Sequence, residues 1–190
     1  MFRKSSYIIA ASLLFVTLPA LADVPRYDVI PEKSKLKFYA IQNGAALEGK
    51  FSDFTADIAF DPDQLDKSNI RVEVATGSIL TANDDVNKNI KTSEWLSVEV
   101  FPKAVFKSNK ILRMPNSNNY YAEGDFTLRD QTMPVVVNFI MEHFDDKNAI
   151  AKGYVTLRRT DFGVGQGEWA RDDVIKNEVR VEFRIAAKKQ

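Results

Sequence analysis

Val179-Arg180-Val181-Glu182-Phe183-Arg184-Ile185, near the C-terminus, alternates apolar and charged residues without a break. In an extended chain successive side chains point to opposite faces, so the four apolar residues share one face and the three charges the other. That pattern describes a strand with one buried face and one wet face. The same period runs back through the chain: Leu36, Phe38 and Ala40; Phe54, Ala56, Ile58 and Phe60; Ile70, Val72 and Val74. It continues in Ala104, Phe106 and Ser108, in Ala122, Gly124, Phe126 and Leu128, and in Ala151, Gly153, Val155 and Leu157. Asp61-Pro62-Asp63, Arg129-Asp130, the polar run Asn116 to Asn119 and the charged turn Asp145 to Asn148 punctuate the runs. Short strands separated by turn signals predict an antiparallel all-β fold. Val135 to Ile140 is nearly continuous apolar and is expected to be buried on both faces.

Two stretches break the period. Asn83-Asp84-Asp85 supplies cap residues, and Val86, Ile90 and Ser93 follow at helical spacing up to Trp95-Leu96. One short helix is predicted there, laid across the sheet or over one end of a barrel. The other is Asp161 to Trp169, D-F-G-V-G-Q-G-E-W, with three of the eight glycines and one of the two tryptophans. Glycines at every second position weaken a strand and indicate a bend or a close backbone approach.

A chain of this kind chooses between a sandwich and a closed barrel, and closure removes exposed edges. The inward set mixes small residues (Ala40, Ala56, Ala122, Gly124, Gly153) with phenylalanines. Large aliphatics would fill an eight-stranded barrel, whereas small residues among aromatics leave room for a ligand. The expectation is an antiparallel eight-stranded barrel with one short helix and an elongated apolar cavity.

The first 22 residues stand apart. Arg3 and Lys4 precede an apolar run from Tyr7 to Leu18, and Ala20-Leu21-Ala22 fits cleavage before Asp23. This is the pattern of a secretory signal peptide, too short for a comfortable membrane span. No cysteine offers a lipid-anchoring site. Residues 23–190 then form one domain with two more acids than bases. That balance gives no electrostatic footprint for nucleic acid or for anionic lipid. A single domain of this length buries about 70% of its unfolded surface. Exported yet free of cysteine, it relies on its core alone, and the expected location is the periplasm.

Much chemistry is excluded. Without cysteine there is no thiol nucleophile, thiolate zinc site or iron–sulfur site. His143 is the sole histidine and reads as structural or solvated. Gly163 to Gly167 lacks the Lys-Ser/Thr and the flanking elements of a phosphate loop. Asp84-Asp85 and Asp172-Asp173 read as capping and turn residues. No catalytic residue, cofactor or metal site is assigned.

Six motifs, taken in chain order, carry a family resemblance. They are Gly49 to Phe54 (G-x-F-x-x-F), Ser78-Ile79-Leu80-Thr81 and Ile90 to Leu96. Phe101 to Phe106 (F-P-x-A-x-F), Gly124 to Val135 and Arg159 to Val164 (R-x-D-F-G-V) complete the set. Together they resemble the YceI family of exported lipocalin-like barrels, over about Tyr27 to Lys188. The resemblance implies a long isoprenoid chain, of the polyprenyl or quinone kind, held inside the barrel. Many relatives carry a histidine after the first strand where this chain has Gln42-Asn43, which leaves the head-group preference open. The Gly165 to Trp169 extension resembles a branch associated with membrane di-haem cytochrome b proteins.

Three functional classes remain. The first is a non-catalytic periplasmic carrier or sequestering protein for an isoprenoid lipid or quinone. Its wall candidates are Phe38, Phe51, Phe106, Phe126 and Phe183, joined by Phe162 and Trp169. The second is an accessory subunit of a membrane cytochrome b, docking through an exposed Trp169. The third is a cofactor-free enzyme acting on an isoprenoid through Asp161 or Glu168 in an apolar pocket. Monomer and homodimer are both compatible with the chain.

Overall fold

The computed structural model describes residues 23–190, so the export pattern of residues 1–22 lies outside the described residues. The strand segments are β1 (Arg26–Val29), β2 (Lys35–Gln42), β3 (Ala45–Phe51), β4 (Phe54–Ala59), β5 (Asn69–Ala75) and β6 (Ile79–Thr81). After helix α1 (Asp84–Asn89) come β7 (Lys103–Arg113), β8 (Asn119–Leu128), β9 (Gln131–Phe144), β10 (Asn148–Arg158) and β11 (Glu178–Lys189).

Three consecutive pairs behave as single broken strands. β1 and β2 both run along β11, interrupted by a tight turn at Pro31–Lys33. β3 and β4 part at Ser52-Asp53, and β5 and β6 at Thr76–Ser78. Counted this way the wall has eight strands, each antiparallel to its sequence neighbours. The ring closes where β11 meets both segments of the first strand, with Tyr27 opposite Lys189 and Phe38 opposite Val181. The expected eight-stranded barrel is the observed one.

The alternation predicts the inward face well, with two local departures. The break at Ser52-Asp53 lets Phe51 and Phe54, three residues apart, both face the interior. A bulge between Ser108 and Lys110 shifts the period in β7, so Ile111 becomes one of the most buried side chains. The reading of Val135 to Ile140 as buried on both faces is corrected. Val136 is 48% exposed, and Val135, Val137 and Phe139 face inward, so β9 alternates like the other strands.

The two ends are closed by different parts of the chain. At one, the Phe60 ring packs edge-on against Tyr120 and Phe144 at 5.5 and 5.9 Å, while Tyr120 stacks on Phe139 at 5.2 Å. Over the other lie residues 82–102 and 159–177. The predicted helix is there but shorter than its periodicity suggested. The Asn83 side chain caps it, accepting from the N–H groups of Asp85 and Val86, and it ends at Asn89, with Trp95 and Leu96 carried on the turns beyond.

Candidate functional site

An apolar cavity of about 350 Å³ runs through the barrel, lined from Tyr27, Phe60, Phe139 and Ala187 at one end to Ile90, Trp95, Phe162 and Trp169 at the other. Its size falls within the range of small-molecule pockets. Strand pairing explains why it stays open among so many aromatics. Phe38 lies opposite Gly49 and Phe183 opposite Gly153, and the Phe106 ring covers Gly124. A Cβ at any of these glycines would collide with the facing ring. The rings therefore lie along the wall in the space the missing side chains leave.

All seven residues singled out from sequence line this cavity: Phe38, Phe51, Phe106, Phe126, Phe162, Trp169 and Phe183. Phe162 is fully buried, its ring edge-on to Phe126 at 5.4 Å. Trp169 departs from the exposed side chain that the docking expectation assumed. It is half-buried, its ring 5.7 Å from Trp95, and its Nε1–H donates to Glu94 Oε2 at 3.1 Å. It forms part of the cover, not a projecting anchor. Asp161 and Glu168 also depart from expectation, since both are exposed and neither lines the cavity. Asp161 lies 3.7 Å from Arg158.

The glycine-rich stretch resolves into a folded cover. Gly163, Gly165 and Gly167 all have positive φ, between 61° and 75°, a region closed to most side chains. The N–H groups of Gly165 and Gln166 donate to the Glu94 carbonyl at 2.8 and 2.9 Å, tying the two covering segments together. A Cβ at Gly165 would sit on the Arg159 guanidinium. The close approach read from the glycines is therefore to an arginine of the same chain.

Arg159 is the site residue that sequence reasoning passed over, noted only within its motif. It is 4% exposed, and it donates to the carbonyls of Lys176, Val164, Gly165, Trp169, Arg171 and Ile175 at 2.7 to 3.2 Å. Its guanidinium also lies 5.7 Å from the Trp95 ring, within cation–π range. Burial lowers its pKa from the ordinary guanidinium value, opposed by the Asp172 carboxylate. It stays charged, since arginine does not deprotonate in proteins. Arg129 plays a smaller matching part, its Nη1 donating to the carbonyls of Ser93 and Trp95. At the closed end, burial raises the Tyr27 pKa, reinforced by Asp61, Asp145 and Asp146. His143 is solvated and shares a 2.8 Å hydrogen bond with Asp145.

The pattern of the YceI-like domain matches residues 27–187, almost all of the described chain. The chain belongs to the YceI-like family. A UPF0312 protein of Vibrio cholerae is 28% identical over 123 residues, which are 62% of this chain and 65% of that relative. The chain thus spans just under two thirds of the length of that relative. BcnA of Burkholderia cenocepacia has a similar fold, with a TM-score of 0.79 and 24% identity over 84% of this chain and 99% of its own. A polyisoprenoid-binding domain from Saccharophagus degradans, implicated in plant cell wall breakdown, is similar at a TM-score of 0.67 and 11% identity. That similarity covers 89% of this YceI-like chain and all of the other.

Proposed function

We propose that this YceI-like barrel binds a long isoprenoid lipid, of the polyprenyl or quinone kind, and carries or sequesters it in the periplasm without catalysing a reaction. The observation that carries the reading is the cavity itself, continuous along the barrel, almost wholly apolar and covered at both ends. Alkyl surface moved from water into such a lining gains about 25 cal/mol per Å², less the cost of ordering the chain. The flat-lying rings of Phe38, Phe106 and Phe183 and the cover residues Phe162 and Trp169 would contact the lipid, with Phe51 and Phe126 between them. The shared fold of the Saccharophagus degradans domain supports an isoprenoid as ligand, and the export pattern of residues 1–22 supports the location.

Protein purified from its own cells is the direct test, by native mass spectrometry and organic extraction. A near-stoichiometric isoprenoid is the expected finding. Repeated isolation without lipid, together with no uptake of prenol or quinone from vesicles, would overturn the reading.

A further inference from the structure

Very few of the side chains lining the cavity are polar, and they are unequally engaged. The Thr76 hydroxyl donates to the Phe101 carbonyl at 2.7 Å. Arg159 spends its donors on six carbonyls. Tyr27 lies at the plugged end, its phenol near the Asp61, Asp145 and Asp146 carboxylates. Gln42 and Asn89 remain. Both line the cavity at the covered end, and neither side-chain amide makes a hydrogen bond with the described residues. Asn89 is also the only exposed residue among the described residues that line the cavity, which places the mouth beside α1. Gln42 ends β2 and is held by its bridge to Ile175, so the amide has a fixed base.

We infer that Gln42 and Asn89 are the recognition site for a neutral, hydrogen-bonding head group, a hydroxyl or carbonyl, on the lipid whose chain fills the barrel. The inference rests on reading the cavity as an isoprenoid site. An amide offers both a donor and an acceptor, which suits a hydroxyl, a carbonyl or both. An anionic head group fares worse here. Arg159, the one cation among the described residues that line the cavity, spends its N–H groups on carbonyls, so a phosphate drawn inside past the exposed Asn89 would lose its hydration without a charged donor in return.

The test uses three ligands of one chain length: a prenyl hydrocarbon, the corresponding prenol and the prenyl monophosphate. Trp95 and Trp169, both lining the covered end, report binding by fluorescence. The prenol should bind about tenfold tighter than the hydrocarbon, the sum of two modest neutral hydrogen bonds, and the phosphate no tighter than the hydrocarbon. In the Gln42→Leu/Asn89→Leu variant the prenol should fall to the hydrocarbon level while hydrocarbon binding holds, which also certifies the fold. A fourth ligand, a prenylated quinone whose carbonyls only accept, should bind more weakly to the near-isosteric Gln42→Glu and Asn89→Asp variants, which lose the N–H donors. Tightest binding of the phosphate, or a prenol advantage that survives in the double variant, would overturn the head-group assignment and leave the lipid cavity standing. Failure of the hydrocarbon to bind wild-type protein would sink the cavity reading and this inference with it.

Discussion

At one end of the barrel Phe60 is fitted among Tyr120, Phe139 and Phe144; at the other, Arg159 holds six backbone carbonyls. The plug gains its stability from apolar area, which has no direction and is lost only by exposing the rings to water. The cover adds to an apolar cluster of its own, which includes Trp95, Phe162, Val164 and Ile175, a set of directional bonds to carbonyls that water can satisfy once the loop opens. The expectation to test is that opening the plug resembles unfolding, while opening the cover is a local event of lower cost. On the proposed reading one end must stay shut and the other yield, and the two chemistries would divide that task.

The sharpest way to break the contrast is at the plug. Phe60→Ala should lower global stability by about 4 kcal/mol, seen as a lower urea midpoint with an unchanged m-value. Next is Arg159→Met, which strands the carbonyls that the guanidinium satisfies. It should cost about 3 kcal/mol, and hydrogen exchange should concentrate the loss in residues 164–176 while the plug strands keep their protection. If both variants lower protection uniformly, the two ends are one cooperative unit and the contrast fails. Arg159→Lys should recover little, since a point charge cannot span the same carbonyls.

Gly165→Ala sharpens the same point from the backbone. A methyl group at φ +75°, set against the guanidinium, should cost about 2 kcal/mol. Its effect should be greatest on the rate at which bound lipid leaves. The smallest effect belongs to the turn outside the plug. Asp145 accepts from the N–H groups of Lys147 and Asn148 and bonds His143, which lower its pKa to about 2. Because the folded value lies below the unfolded one, the contribution is present above the ordinary carboxylate range and is lost as pH falls through about 2. Asp145→Ala should flatten that acid limb of the stability curve and leave stability changes above pH 6 insensitive to pH at this site.

How far the sequence could be read follows from the same physics. Period two sorts inward from outward residues because burial enforces it, and it placed Phe38, Phe106, Phe126 and Phe183 on the inner wall. It misled at Val136, an apolar residue on the outer face that no inward neighbour demands. It lost Ile111 beyond the β7 bulge, since an extra residue leaves no mark on composition. Arg159 was invisible as a functional residue because its partners are carbonyls, which every residue carries. The Gly163, Gly165 and Gly167 spacing did signal a close approach, but only the folded chain names the group approached, the Arg159 guanidinium at Gly165. Gln42 and Asn89 stand out once the cavity is known, by being amides where almost everything else is apolar.

The closure of the ring has one more consequence. Seven of the eight strand pairings join neighbours in sequence, but the barrel is complete only when β11 meets the first strand, across a separation from Tyr27 to Lys189. Contacts so distant form slowly, and until they form the inner faces of the earlier strands are bare to water. The cover segment of residues 159–177 precedes β11 in the chain. In a chain made from its N-terminus, the lid is delivered before the vessel exists, and the interior comes into being only with the last dozen residues.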